Sequence, residues 1–114
     1  MNNLNKIFYK VHFVNEQTIL AICDADLIGK KFSNQKIVLD LETFKNFYVG
    51  EELDHSDAKE LFEKSDSINI VGKNSLQIAL DLGYAQIEEV LYVGEVPHLQ
   101  IYKILKKKSK GQGI

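Results

Sequence analysis

Arginine is missing from this chain of 114 residues; all 14 basic residues are lysine. Reading a phosphate or a guanine edge with a planar two-pronged donor is arginine chemistry, so high sequence specificity of that kind is not expected. Cysteine is nearly missing too. Cys23 stands alone, cannot close an internal disulfide, and leaves the fold to stand without one. No stretch approaches the ~20 apolar residues that cross a bilayer as a helix. The opening Met1-Asn2-Asn3-Leu4-Asn5 holds no apolar signal core. These absences favour a reducing cytoplasm over a membrane or an oxidising compartment. Excess charge is also lacking: a net charge of -2 offers no global argument for nucleic acid.

What is present is enough for one domain with a real core. Hydrophobic residues make up 45% of the chain, which argues against disorder, and charged residues 26%, an ordinary surface load. The charge is polarised along the chain. Residues 40–66 carry nine acids and three lysines, a net of −6, whereas residues 103–110 carry five lysines (Lys103, Lys106, Lys107, Lys108, Lys110) and no acid.

The hydrophobic pattern starts with period 2. Ile7, Tyr9, Val11 and Phe13 share one face, with Lys10 and His12 on the other, which predicts a strand over 6–14. A turn at 15–17 and a second apolar run over 18–23 predict a β-hairpin. Asp24 to Gly29 reads as one helical turn, with Asp24 as its cap and Gly29 as its left-handed end. A third strand is predicted over 36–41, with Ile37, Leu39 and Leu41 facing one way. Residues 42–55 have no clear period. Asp57 with Glu60 is a capping-box-like start to a helix whose apolar face is Ala58, Leu61 and Phe62. A strand over 67–71 ends at Gly72, and a helix over about 74–82 ends at Gly83. Short strands are predicted over 90–93 and 98–105. The expected fold is therefore α/β of the α+β kind: an N-terminal β-hairpin and a mixed sheet with two or three short helices. It would form a single compact domain over 1–105, followed by a lysine-rich flexible tail over 106–114.

Four places carry residues able to do chemistry. The first is Cys23-Asp24-Ala25-Asp26-Leu27-Ile28-Gly29-Lys30. Its two carboxylates suit an oxygen-loving cation, but an EF-hand fails, because Ile28 and Gln35 stand where ligands are required. A capped turn is the plainer reading. As a nucleophile Cys23 would need a base beside it; at the end of an apolar strand it reads as a small buried hydrophobe. The second is Val71-Gly72-Lys73-Asn74-Ser75, where a strand gives way to a helix whose first amides, with Lys73, would attract an anion. A Walker A loop is excluded by Ser67 and Asn74 at positions that need glycine and a hydroxyl residue; a turn capped by Asn74 is the plainer reading.

The third is Gly94-Glu95-Val96-Pro97-His98. Pro97 fixes its own φ and extends Val96, holding His98 at the start of the last strand, where it would serve as acid, base or ligand. The alternative is a structural histidine bonded to backbone. His12, His55, His98 and Cys23 lack zinc-ligand spacing, and no metal or cofactor is implied. The fourth is the lysine run, suited to a phosphate backbone or simply to solubility. Tyr92 and Tyr102 would stack on bases if exposed, and alternation puts Tyr102 on the face of His98 and Gln100.

Read in order, Cys23-Asp24-x-x-Leu27-x-Gly29-Lys30, Phe47-Tyr48-x-Gly50, Asn69-Ile70-Val71-Gly72 and Val96-Pro97-His98 resemble a group of small archaeal proteins known as the domain of unknown function number 424. The resemblance covers about residues 6–105. It implies an archaeal, cytoplasmic protein with a compact α/β fold, and it supplies no activity. A loose expectation of translation-related or RNA-associated work comes with it.

These motifs sit at glycine-marked turns. Gly29-Lys30, Gly50, Gly72-Lys73 and Pro97-His98 are candidates to meet at one end of the sheet, an inventory for binding an anion. The leading expectation is a non-enzymatic module that binds RNA or a ribonucleoprotein through Lys30, Lys73 and the 103–110 lysines, with Tyr48, Gly72 and His98 beside them. One alternative is an enzyme on a small phosphorylated or nucleotide substrate, with His98 as acid/base and Asp24 and Asp26 holding a metal. Another is a protein-interaction adaptor using the acidic 40–66 stretch with Phe44, Phe47 and Tyr48. The oligomeric state is open.

Overall fold

The computed structural model describes residues 5–103. Its main sheet has six strands in the order β5-β1-β2-β6-β8-β7, and a separate two-stranded sheet pairs β3 with β4. The strands are β1 (Ile7–Val14), β2 (Gln17–Asp24), β3 (Lys31–Ser33), β4 (Val38–Asp40), β5 (Glu51–Glu52), β6 (Ser67–Val71), β7 (Leu91–Val93) and β8 (Val96–Tyr102). The helices are α1 (Lys45–Tyr48), α2 (Ala58–Lys64) and α3 (Lys73–Asp81). β2 and β6 run parallel and the other pairs antiparallel, so the sheet is mixed and the domain is α+β, as expected.

The β1–β2 hairpin closes through two residues, Asn15 (φ 52) and Glu16 (φ 66). Two left-handed residues make the tight turn whose twist matches paired strands. Register then puts Ile7, Tyr9, Val11 and Phe13 on one face with Leu20 and Ile22. α2 and α3 cover that face. Phe62, Leu76 and Ala79 from the helices meet Ile7, Leu20, Ile22, Ile68, Ile70 and Leu99 from the strands. α3 ends as its sequence requires: Gly83 has φ +82, Gly83 N–H donates to Leu80 O, and Tyr84 N–H donates to Ala79 O, the paired bonds of a Schellman motif.

The second face of the sheet is covered over part of its area. The β3–β4 hairpin and α1 lie on it, burying Leu39, Leu41 and Tyr48 against Ala21, Cys23, Val71, Val93 and Val96. An Asx turn holds that hairpin: Asn34 Oδ1 accepts from the amides of Lys36 and Ile37, at 2.8 Å each.

Three expected caps are placed differently. Asp24 makes no cap bond to the turn Ala25–Leu27; its carboxylate reaches α3 instead. Asn74 is the second residue of α3 rather than its cap. Asp57 caps nothing, and Asp54 takes that role one turn earlier by accepting from Ser56 N–H. The first two differences come from one contact: the Asp24 carboxylate bonds the first amides of α3, leaving its own turn without a side-chain cap and taking the place expected of the Asn74 side chain. β3 and α1 lie in segments whose short apolar runs show no period long enough to read. The last strand ends at Tyr102 among the described residues.

Candidate functional site

Among the described residues, polar side chains come together in two regions considered in turn. The first is a cleft of about 420 Å³ at the ends of β2, β6 and β8, lined by Asp24, Asp26, Lys30, Gly72, Lys73, Glu95 and Pro97 among others. Three of the glycine-marked turns therefore meet. Gly50 does not join them: it sits against Tyr9 and Lys10 on β1, so close that a Cβ there would lie 2.6 Å from Tyr9 O. His98 and Tyr48 are also outside the cleft.

Asp24 organises its floor. The carboxylate is buried and accepts from Asn74 N–H (3.0 Å), Ser75 N–H (2.8 Å) and the Ser75 hydroxyl (2.8 Å). The protein's own carboxylate thus occupies two of the amides that the strand-to-helix turn offered to an external anion. Burial pushes the Asp24 carboxyl above its ordinary pKa, against the lowering effect of the bonds from Asn74 and Ser75. Gly72 makes the approach possible: with φ +110, a Cβ there would lie 2.3 Å from Asp24 Cγ. Four charges line the rim, from Lys30, Lys73, Asp26 and Glu95, and they balance. Among the described residues no group of three or more His, Cys, Asp or Glu side chains could hold a metal.

The second region is the uncovered part of the second sheet face. His98 leaves β8 on the side opposite Pro97, in line with Gln100 and Tyr102, and Asn69 is the cross-strand partner of Gln100. His98, Gln100 and Asn69 line a groove of about 330 Å³ with Phe44, Phe47 and Tyr48. His98 and Gln100 also line an adjoining one of about 360 Å³ with Leu91 and Tyr102. Tyr102 is 71% exposed, Leu91 53% and Phe44 61%; Tyr92, paired with Pro97, faces the other side of the sheet. His98 Nδ1 is 2.9 Å from Ile70 O, the backbone bond of the structural alternative, with the ring still facing the groove.

The remaining candidates fall as follows. Cys23 is fully buried, and burial, with Asp24 and Asp26 adding to it, pushes its thiol far above the usual range; a thiolate nucleophile is strongly disfavoured there. Tyr48 is buried, its hydroxyl donating to Asn69 Oδ1 at 2.6 Å, and burial raises its pKa. Lys103 turns inward. Its ammonium donates to Phe62 O and Glu63 O at the end of α2 and lies 5.3 Å from the centre of the Tyr84 ring. Burial pushes its pKa down, against Asp66 and Glu63. Lys106, Lys107, Lys108 and Lys110 lie outside the described residues. Of the adaptor aromatics, Phe44 is exposed, Phe47 half-buried and Tyr48 buried. His98 and Asp24 share neither the cleft nor the grooves, so the concerted site of the enzyme alternative has no common cavity.

Asn69 and Gln100 carry more of the open face than their sequence positions announced. The available signal was a polar residue inside the apolar run Ile68-Asn69-Ile70-Val71, and the alternation that aligns Gln100 with His98.

Fold and site together define a small α+β domain with a cleft at its strand ends, where Asp24 lies beneath two lysines and two further carboxylates, and an open sheet face of aromatic and amide groups. The chain belongs to the family described as "Protein of unknown function (DUF424)", which matches residues 11–104. Among solved structures it is similar to an uncharacterized conserved protein from Methanopyrus kandleri, with a TM-score of 0.71 and 24% identity over 85% of this chain and 90% of that one. At that identity the likeness speaks for the fold. No curated protein matches the chain. Among the described residues no helix is long and apolar enough to cross a membrane.

Proposed function

We propose that this domain binds single-stranded RNA on the open part of its second sheet face. The observation that carries the reading is Tyr102: 71% exposed, on the same face as Gln100 and His98, and beside the exposed Leu91. A tyrosine on an uncovered sheet is a stacking surface for a base, and neighbouring amides and imidazole supply the polar contacts that unpaired bases accept. Four lysines follow β8 in the sequence, Lys106, Lys107, Lys108 and Lys110, and supply positive charge for the phosphates. Lys30 and Lys73, at the cleft, serve this face less well.

The test is fluorescence anisotropy of the full chain with a labelled single-stranded RNA across a salt series. Three or four phosphate contacts give a log–log slope of about −2 to −3. Tyr102→Ala weakens binding by about 5- to 100-fold, the range of one lost stacking contact. Replacing the four tail lysines with glutamine flattens the slope. A slope near zero, or an unchanged affinity for Tyr102→Ala, would overturn the reading.

A second reading, a small phosphorylated ligand in the strand-end cleft, is favoured by the convergence there of Lys30 and Lys73. A thermal-shift series with nucleotides tests it; loss of any shift in Lys30→Gln and Lys73→Gln supports it, and no shift in the native chain ends it.

A further inference from the structure

The strand-end cleft is lined by charges of both signs that the protein does not pair. Lys30, Lys73, Asp26 and Glu95 all border it. Among the described residues none of the four belongs to an ion pair; the pairs that form are Lys6–Glu52, Lys31–Glu42 and Lys64–Glu60. Asp26 and Lys30 stand on the turn after β2, Lys73 begins α3, and Glu95 sits in the turn between β7 and β8. Anchored on three different elements, opposite charges do not close onto one another. One backbone donor is left as well. At the start of α3, Gly72 N–H donates to Pro97 O, and the amides of Asn74 and Ser75 donate to Asp24. Lys73 N–H has no acceptor among the described residues. The rest of the lining is largely apolar: Leu27 and Phe32 are half-buried, Val96 and Pro97 buried. A volume of about 420 Å³ is on the scale of a small-molecule site.

We propose that this cleft binds a free α-amino acid with an apolar side chain. The ligand carboxylate meets the ammonium groups of Lys30 and Lys73 and the Lys73 amide, at the positive end of α3. The ligand ammonium meets the carboxylates of Asp26 and Glu95. Its side chain covers Leu27, Phe32, Val96 and Pro97 and takes apolar surface out of water. Ligands of one charge match only half of this lining. A bare phosphate brings its negative charge towards Asp26, Glu95 and the underlying Asp24, and a simple amine brings its positive charge towards the two lysines. A molecule that carries both charges answers both pairs. The inference is independent of the RNA-binding reading, and it gives the cleft a different ligand from the phosphorylated one.

The experiment is calorimetric titration of the full chain with leucine, methionine, phenylalanine and inorganic phosphate, at about pH 7, where both charged groups of an amino acid are ionised. The tightest-binding amino acid is then compared with its N-acetyl derivative, which lacks the ammonium, and its amide, which lacks the carboxylate. Each derivative is expected to bind about tenfold or more weakly, the scale of one lost charged hydrogen bond. Two double variants change only exposed side chains and should leave the circular dichroism spectrum unchanged. In Asp26→Asn with Glu95→Gln, the amino acid binds no better than its N-acetyl form. In Lys30→Gln with Lys73→Gln, it binds no better than its amide. Equal affinity for all three forms in the native chain, or native discrimination in both double variants, overturns the inference. Binding of phosphate without any amino acid overturns it while the phosphorylated-ligand reading stands. Absence of binding to every titrant overturns it and leaves the RNA-binding reading untouched.

Discussion

The Asp24 carboxylate at the end of β2 lies 2.8 Å from both the amide nitrogen and the hydroxyl of Ser75, a residue 51 positions later on α3. Strand and helix are joined by this contact, and it also closes the helix N-terminus to outside anions. Asp24→Ala leaves three donors without their acceptor, two of them backbone amides at a helix start. A destabilisation of about 2–4 kcal/mol is expected, read as a lower urea midpoint with unchanged slope. A loss below about 0.5 kcal/mol, the scale of an ordinary surface change, would mean that water replaces the carboxylate at no cost.

The same group makes stability depend on pH with a definite sign. Burial raises the folded-state pKa of Asp24 above its ordinary value, which is about 3.9 in an unfolded chain. Below the unfolded value both states hold the proton. As pH rises, the unfolded chain ionises first, and stability is lost until the pH passes the folded value. Asp24→Asn has no such slope. The stability of the native chain minus that of Asp24→Asn should therefore fall as pH rises from about 3 towards 6. Urea midpoints of both proteins across that range check it, and a flat difference would show that the folded state does not hold the proton more tightly.

Gly72 is expected to tolerate no side chain. With φ +110, the alanine Cβ would meet Asp24 Cγ at 2.3 Å, so Gly72→Ala should cost about 2–4 kcal/mol from backbone strain and overpacking combined. Gly94 is the control, with φ +67 and nothing within 4 Å; Gly94→Ala should cost only about 1 kcal/mol. Thermal unfolding of the two variants separates contact from conformation.

Glu16 takes a left-handed conformation, φ 66, in the β1–β2 turn, where glycine fits without strain. Glu16→Gly should raise stability by about 0.5–1 kcal/mol. A decrease on chemical denaturation would show that the side chain supplies an interaction outweighing the strain.

Cys23 should be inert in the folded protein. It is buried between the sheet and the β3–β4 layer, and its thiol is pushed well up by burial. Labelling by a thiol reagent should proceed at the rate of opening and become fast in denaturant. Rapid labelling of the native chain would mean that this layer lifts readily.

Six of the strands and the two longer helices were legible in the chain because each depends on neighbours in sequence, whereas β3, α1 and β5 were not, being too short to show a period. Alternation at Ile7, Tyr9, Val11 and Phe13 marks a strand, and Gly83 marks a helix end, through backbone geometry that needs no distant partner. The same alternation placed Tyr102 with His98 and Gln100. What local pattern did not determine was which polar group satisfies which. Asp24 passes over its own turn to cap α3, Lys103 folds back on α2, and Asn69 and Gln100 have their amides oriented by tyrosines. Those choices depend on which strands lie side by side: β2 beside β6 delivers Asp24 to Ser75, and β6 beside β8 delivers Asn69 to Gln100. A hydrogen bond is decided by a few ångströms in space, and only the tertiary structure brings residues 24 and 75, or 69 and 100, within that reach.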